Sequence, residues 1–310
     1  MCIRKRWLCF IIWSVSICHL QAQDADSLLR LSSDSTLTYS DSLSIFYLID
    51  SLLTLEENTP GSQLAVRLNY NSNVLYAGRT LGIDQFGLSP GISFYHKTGF
   101  YADISSFWSK DFDPKYYLTI LSAGYAHFFS SKFSISANYD RYFYNLPDDF
   151  IPYSNGLTVS PILDLKPFSL QCDYTFYFGE THANRLMPSL GLNLMKKKIF
   201  GIDKISFSPT FYVLLGDQTF TNIIVPTTRA EWLRAFIYGF QTESYSEFGI
   251  MNYSFSIPLN IQYKKFNFAI SYVYSIPKAL PSETLLLPES GFVAAGLTYY
   301  INFKQNKSLF

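Results

Sequence analysis

The sequence predicts an all-β fold: a transmembrane antiparallel up-and-down β-barrel of about twelve strands, with a short N-terminal periplasmic helix. Three observations predict this class. Long segments alternate between apolar and small polar residues, which is the period of a strand. Aromatic residues make up 18% of the chain and charged residues only 15%, below the charge content of a soluble domain. Connections alternate between short turns and longer loops, as they do in outer-membrane barrels.

Residues 1–22 predict a secretory signal peptide. Basic residues 4–6 precede an apolar run over residues 7–18, and Ala22 supplies a small residue for cleavage. The run is shorter than the roughly 20 residues that a spanning helix needs, so a retained anchor is the weaker alternative. A lipoprotein anchored through Cys18 is weaker still, because Ile17 stands where a small residue is wanted.

Cleavage would also change the chemistry of the exported chain. It would leave Cys172 as the single cysteine, which excludes an intramolecular disulfide framework. It would remove three basic residues and no acidic ones, taking the formal charge from 0 to −3. An acidic exported chain is not expected to bind nucleic acid.

Residues 23–60 form a predicted periplasmic lead to the barrel. The first half is rich in Ser and Asp, whereas residues 43–55 place apolar side chains over a wide helical face, which ends at Asn58 and Pro60. Two interpretations stay open. The helix packs against the periplasmic mouth of the barrel, or it acts as a plug or docks a periplasmic partner through residues 41–57.

Residues 61–304 form the predicted barrel. Each candidate strand is about as long as a tilted membrane-spanning strand requires, and the segment at 115–129 fits the alternation least well. The candidate strands are 62–74, 86–96, 99–108, 115–129, 132–144, 155–164, 167–178, 183–196, 204–216, 247–263, 265–276 and 290–303.

The alternation separates two solvents. In the segment 167–178, even positions from Phe168 to Phe176 are apolar, and odd positions are polar. We expect lipid to contact the apolar face and a polar lumen to contact the other. Closure follows, because no sheet edge can be left bare in hydrocarbon. The alternative is a secreted β-sandwich, whose strands would usually be about five or six residues long.

The connections predict the orientation of the barrel. The short ones are "HKTG", "SSK", "LKP", "KKKIFGIDK" and "YKK", and the long ones are 75–85, 145–153, 216–246 and 277–289. Short turns face the periplasm in outer-membrane barrels, so both termini are expected there. In the longest loop, Trp232, Leu233, Phe236 and Ile237 lie near one helical face, which could rest on the outer leaflet or fold into the pore.

The last predicted strand carries a family resemblance. Its end, "GLTYYINF", places Tyr299, Ile301 and Phe303 at alternate positions after Gly296. This resembles the C-terminal assembly signal of bacterial outer-membrane β-barrels, and the resemblance covers about residues 62–303. It implies the outer membrane of a Gram-negative bacterium, contact with outer-membrane lipid, and recognition by the barrel-assembly machinery. The tail at 305–310 departs from the pattern, because many members end at the final aromatic residue.

Parity places five charged side chains toward the lumen as candidates for lining a pore. A barrel of about twelve strands lies between barrels filled by side chains and those with a water channel. The charges could therefore pair with one another, or they could line a narrow pore of mixed charge. These residues are Arg67, Asp103, Asp140, Asp173 and Arg185.

The two rims of the predicted barrel carry opposite charge. The rim formed by the long loops is acidic, and an acidic outer vestibule would attract cations. Alternatively, the acidic side chains are simply solvated in their loops, or they bridge divalent ions to lipid. The short turns hold Lys97, Lys132, Lys166, Lys196, Lys197, Lys198, Lys204, Lys264 and Lys265 against Asp164 and Asp203. The long loops hold Asp84, Asp111, Asp113, Asp148, Asp149, Glu180, Asp217, Glu231, Glu243, Glu283 and Glu289.

No convincing catalytic constellation is found, so we do not predict an enzyme. "GLSPG" matches the nucleophile elbow of hydrolases, but Ser89 lies within an alternating segment rather than at a strand-to-helix turn. His96, His127 and His182 have no metal-ligand spacing. No nucleotide, metal or redox cofactor is predicted.

The function predicted from the sequence is a narrow passive pore for small solutes with a polar lumen of mixed charge. The first alternative is a non-conducting barrel that presents surface loops or docks a periplasmic partner. A membrane-embedded hydrolase using His182 is the third.

Overall fold

A computed structural model describes the chain over residues 62–73, 75–76, 79–80, 87–110, 113–145, 153–223, 228–238, 242–283 and 287–303. The predicted signal peptide, the periplasmic lead with its amphipathic helix, and the tail at 305–310 lie outside the described residues. Among the described residues, no helix has the length and hydropathy that a membrane span requires.

The described residues are almost entirely strand. The strands are β1 (Gln63–Asn71), β2 (Leu75–Tyr76), β3 (Arg79–Thr80), β4 (Gly87–Tyr95), β5 (Phe100–Ser109), β6 (Tyr116–Phe128), β7 (Phe133–Tyr144), β8 (Tyr153–Leu165), β9 (Phe168–Gly179), β10 (His182–Leu192), β11 (Leu194–Ile199), β12 (Ile202–Phe207), β13 (Thr210–Ile223), β14 (Thr242–Tyr263), β15 (Phe266–Pro277) and β16 (Ser290–Asn302). The helix α1 (Arg229–Tyr238) lies between β13 and β14.

Twelve of the described strands close an antiparallel barrel, which confirms the predicted barrel and its strand number; the N-terminal helix stays a prediction. The order around the barrel is β1, β4, β5, β6, β7, β8, β9, β10, β13, β14, β15, β16 and back to β1. The closing pair sets Gln63 opposite Asn302 and Asn71 opposite Ala294. Each wall strand is therefore hydrogen-bonded to a neighbour on both edges, as the hydrocarbon core of a membrane requires.

Each wall strand has an apolar outer face and a mostly polar inner face. On β15, Phe268, Ile270 and Tyr272 are exposed on the outside, whereas Ser271 and Ser275 are buried on the inside. The exposed apolar side chains form a belt around the barrel, and lipid is the solvent that suits such a belt.

The short and long connections lie at opposite ends of the barrel. We call them the short-turn end, where β4–β5, β6–β7, β8–β9 and β14–β15 turn and where Gln63 and Asn302 lie, and the long-loop end. The predicted strand boundaries agree closely with the structure in most of the wall, as for 132–144 against Phe133–Tyr144.

The predicted turn over residues 196–204 is a hairpin of its own. β10 ends at Leu192, β11 begins at Leu194, and β11 pairs with β12. Phe200 and Gly201 turn the chain with φ of 51° and 81°. β12 pairs in turn with the short-turn end of β14, so the hairpin extends the wall beyond the turn between β8 and β9.

The predicted loop over 216–246 is partly paired strand. β13 and β14 stay in register out to Ile223 opposite Thr242, although the pairing of β10 with β13 ends at Arg185 opposite Gly216. The β13–β14 hairpin therefore projects past its neighbour and carries α1 near its tip. Trp232, Leu233 and Ile237 of α1 are exposed, so these side chains do not fill the lumen.

A β-bulge explains the poor alternation over 115–129. Phe107 of β5 faces Leu118, and the next residue, Trp108, faces Tyr116. Tyr117 is the extra residue, so Tyr117 and Leu118 are both buried. A bulge sets two residues of one strand against one of its neighbour and breaks the period of two.

Candidate functional site

The first charged group in the lumen is an ion pair between β1 and β5. Nη2 of Arg67 lies 2.6 Å from Oδ1 of Asp103, and both side chains are under a tenth exposed. Ser93 donates a hydrogen bond to Oδ1 of Asp103 over 2.6 Å, and Ser105 donates to Oδ2 over 2.7 Å. Arg67 also donates to both serines. The carboxylate is thus held by one cation and two hydroxyls, and such buried pairs are stable only when the remaining lone pairs are satisfied.

A glycine makes room for this ion pair. Gly91 of β4 lies opposite Arg67 on one side and Ser105 on the other. A Cβ at Gly91 would lie 2.8 Å from Nη2 of Arg67 and 2.9 Å from Oγ of Ser105. The guanidinium of Arg67 therefore passes over β4 at a position that has no side chain.

The second charged group joins β10 to β13. Nη1 of Arg185 lies 3.3 Å from Oδ1 of Asp217 and donates to the backbone carbonyl of Asp217. A Cβ at Gly216 would lie 2.6 Å from Cδ of Arg185, so a glycine again makes room for the arginine. The assignment of Asp217 to an outer loop is wrong, because β13 continues to Ile223 and holds Asp217 beside Arg185. Asp217 also accepts from the backbone N–H of Asn184, where β13 leaves β10.

The third group is an aspartate without a cation. Asp140 of β7 is fully buried, and its Oδ2 accepts a hydrogen bond from Nδ2 of Asn138 over 2.7 Å. Its Oδ1 has no hydrogen-bond partner among the described residues. Ser122 of β6 and Gly156 of β8 lie opposite Asp140 in the two ladders.

The fourth group repeats this arrangement two strands further on. Asp173 of β9 is 6% exposed, and Nε2 of Gln171 donates to its two oxygens over 2.9 Å and 3.2 Å. Over the described ranges, no Lys, Arg or His side chain lies within 4.0 Å of either Asp140 or Asp173. An amide dipole supports each carboxylate, and neither charge is cancelled.

The five candidate pore-lining charges are therefore of two kinds. Arg67 and Arg185 each have a carboxylate partner, whereas Asp140 and Asp173 have no cationic partner among the described residues. When all are ionised, these groups leave two uncompensated negative charges in the lumen.

Several buried polar atoms of the inner face also have no protein partner in the described part of the chain. They lie at several heights in the barrel. Gln63 is at the short-turn end, and Asn252 lies opposite Pro277, where β15 ends near the long-loop end. Buried polar groups are almost always hydrogen-bonded, and bound water is the usual partner of those that no protein group satisfies. They are Oε1 of Gln63, OH of Tyr101, Oγ of Ser136, Oδ1 of Asp140 and Oδ1 of Asn252.

Apolar clusters narrow the lumen toward the long-loop end. Leu280, which follows β15, is 2% exposed and packs in a cluster with Met251, Val273 and Phe292. A Cβ at Gly249 would lie 2.7 Å from Cδ2 of Leu280. A second cluster lies on the opposite wall and contains Phe107, Tyr117, Leu118, Ile120 and Tyr142.

The residues of the predicted assembly signal lie at the closing seam of the barrel. Gly296 faces the lumen beside Asn69, whose Oδ1 would lie 2.7 Å from an added Cβ. Tyr299 contacts the ring of Phe266, with centroids 4.9 Å apart, and Ile301 lies opposite Leu64. Phe303 follows β16 and contacts Phe94. Their recognition by the assembly machinery remains a prediction.

The residues considered for catalysis are dispersed. Ser89 lies inside β4 and is buried, whereas His96, His127 and His182 are exposed. His182 lies at the long-loop end, where its ring centroid is 6.5 Å from that of Phe176. Over the described ranges, no cluster of three or more His, Cys, Asp or Glu side chains could hold a metal ion. The hydrolase alternative gains no support from this placement.

Closure of the wall, an outer belt of exposed apolar side chains and a polar interior occur together in this chain. The chain is a closed β-barrel of the membrane-spanning type. No protein-family model matches its sequence, and no curated protein is similar to it.

Solved structures of bacterial porins are similar to this barrel in fold. The KdgM porin is 10% identical, with a TM-score of 0.45 over 76% of this chain and 98% of that chain. The NanC porin is 11% identical, with a TM-score of 0.42 over the same shares. The outer membrane protein OprD from Pseudomonas aeruginosa is 14% identical, with a TM-score of 0.33 over 78% of this chain and 66% of that chain.

Proposed function

We propose that the barrel is a narrow outer-membrane channel for small solutes and that its lumen favours cations. The observation that carries this proposal is the set of buried lumen atoms without a protein partner, because bound water is the usual partner of such atoms. A polar inner face that binds water would provide a path for small hydrated solutes.

The charge of the lumen supports a preference for cations. Arg67 and Arg185 are engaged by carboxylates, whereas Asp140 and Asp173 accept from neutral amides and have no cationic partner in the described part of the chain. Uncompensated charge within low-dielectric walls raises the local concentration of the opposite ion. The sequence predicted a lumen of mixed charge. In the structure Asp103 and Asp217 neutralise the two arginines, and the remaining charge of the lumen is negative.

The central experiment is conductance in a planar bilayer, measured on the folded full-length barrel under a salt gradient. We expect discrete small openings and a reversal potential on the cation-selective side. A preparation unfolded by heat serves as the control for leakage through the bilayer. A folded barrel that inserts but stays silent, or one that prefers anions, would refute the proposal.

A non-conducting barrel is the second candidate, and one observation favours it. Leu280 and the two apolar clusters fill much of the lumen toward the long-loop end. In that case the β13–β14 hairpin and the β11–β12 hairpin would be the functional parts, presented at opposite faces of the membrane. Silence in the bilayer, together with capture of a partner by either hairpin, would favour this function.

A further inference from the structure

The short-turn end carries a dense basic surface on two neighbouring hairpins. We define the basic hairpin surface as the β11–β12 hairpin with the turn between β14 and β15. Asp203 is the acidic residue within this surface, and its Oδ2 accepts a hydrogen bond from the backbone N–H of Lys264 over 2.5 Å. The lysines of the surface are Lys196, Lys197, Lys198, Lys204, Lys264 and Lys265.

The register brings these lysines close to one another. Lys197 lies directly opposite Lys204, and Lys204 lies opposite Gln262, two residues before Lys264. Like charges directly opposite on a sheet destabilise the pair. A surface with six lysines and one aspartate therefore has the charge that suits an anionic partner.

Apolar side chains accompany the lysines. Met195 and Leu194 of β11 are both more than two-fifths exposed, and Phe200 at the tip of the hairpin is fully exposed. Among the described strands, β11 pairs only with β12, so its other edge is open. Open edges are usually covered or protected by charge, and exposed apolar side chains indicate a contact surface.

The chain itself contains a segment with the complementary chemistry. Residues 41–57 carry Asp41, Asp50, Glu56 and Glu57 and no basic residue. The same segment has the wide apolar face at 43–55 that predicts an amphipathic helix. A helix with an apolar face and acidic flanks matches a surface with exposed apolar side chains and lysines.

The connection to the barrel permits this contact. The backbone N–H of Phe303 donates to the carbonyl of Ser62, so the chain enters the wall at β1, beside β16. The β14–β15 turn lies two to three strands away around the wall, which is about 10–14 Å at the usual strand spacing. Residues 58–61 can span roughly 14 Å when extended. Glu56 and Glu57 can therefore reach Lys264 and Lys265.

We propose that residues 41–57 of this chain dock on the basic hairpin surface. Glu56 and Glu57 pair with Lys264 and Lys265, and the apolar face of the segment covers Met195 and Phe200. The acidic lead is thus a built-in partner of the basic rim, which makes a separate periplasmic protein unnecessary for covering that surface. The inference does not depend on whether the lumen conducts.

Protease protection of the full chain tests the docking. The barrel is assembled in the outer membrane, purified in detergent, and digested with a protease that cleaves after acidic residues, at about 0.01 M and about 1 M salt. We expect slow cleavage after Asp50 at low salt and cleavage about tenfold faster at high salt, because salt screens the ion pairs. Lys264→Glu with Lys265→Glu should give fast cleavage at low salt. Adding Glu56→Lys with Glu57→Lys should restore protection.

A matched charge reversal controls for a general change in the charge of the rim. Lys97→Glu with Lys132→Glu alters the β4–β5 and β6–β7 turns, which lie on the other side of β1 from the β14–β15 turn, and should leave the cleavage rate at wild-type values. Heat-modifiable migration checks that each variant is a folded barrel.

Three results would overturn the proposal. Fast cleavage of the wild-type segment at low salt would show that it is not docked. Charge reversal without rescue would show that these pairs do not hold it. Protection in native membranes that is lost on purification would assign the surface to a separate partner or to lipid.

Discussion

Two walls of the lumen bury aspartates in different ways. On the wall formed by β1, β4 and β5, Asp103 is held by a guanidinium and two hydroxyls. On the wall formed by β7, β8 and β9, Asp140 and Asp173 each accept from a neutral amide and have no cationic partner among the described residues. The two environments favour different roles. The paired charges stabilise the wall, whereas the unpaired charges provide a field that acts on passing ions.

The largest effect is expected from breaking the pair on the first wall. Arg67→Ala leaves Asp103 buried without a cation, and removing one partner of a buried ion pair costs about 3–5 kcal/mol. We expect the free energy of unfolding, measured with urea in lipid vesicles, to fall by about that amount. Replacing both partners, as in Arg67→Met with Asp103→Leu, should recover most of the loss. An equal loss in the double variant would show that the pair is not the cause.

Two glycines give a smaller and more local comparison. Gly91→Ala places a methyl group against Arg67 and Ser105, at 2.8 Å and 2.9 Å. Overpacking of this kind costs about 1–3 kcal/mol. Gly156→Ala on the second wall meets the hydroxyl of Tyr142 at 3.0 Å and otherwise makes ordinary ring contacts at 3.4 Å and 3.5 Å, so its cost should be smaller. The same unfolding measurement on the two variants tests the order, and a larger loss for Gly156→Ala would contradict this account.

The smallest effect on stability is expected on the second wall. Asp140→Asn removes a buried negative charge that has no counter-charge and keeps the shape of the side chain. We expect the free energy of unfolding to change by less than about 1 kcal/mol, with a gain in stability as easily as a loss. A loss as large as that of Arg67→Ala would show that Asp140 has a cationic partner of its own.

The sequence predicted the barrel well because its two faces contact different solvents. The segment 265–276 alternates strictly, and the structure gives Phe266–Pro277 with the same inner and outer faces. Lipid on one face and the lumen on the other require alternating apolar and polar residues along each strand. The sequence therefore predicts the strands and shows that the side chains of Arg67 and Asp140 point into the lumen.

The partners of these charges could not be predicted in the same way. Arg67 and Asp103 are 36 residues apart, and they meet across β4 because Gly91 leaves the space between them free. Asp217 was assigned to a loop because the predicted strand ended at residue 216, whereas β13 continues to Ile223 in pairing with β14 alone. Leu280 lies in a connection whose sequence shows no alternation of apolar and polar residues, so no sequence pattern predicts that its side chain is buried beside Met251.

The central claim is that the unpaired aspartates, and not the paired ones, set the selectivity of the lumen. The direct test compares the reversal potentials of Asp140→Asn with Asp173→Asn and of Arg67→Met with Asp103→Leu, in the same bilayer and salt gradient. The first variant should lower the cation-to-anion permeability ratio by roughly tenfold, and the second should leave it close to the wild-type ratio. A wild-type ratio in the first variant, or a large change in the second alone, would contradict the claim.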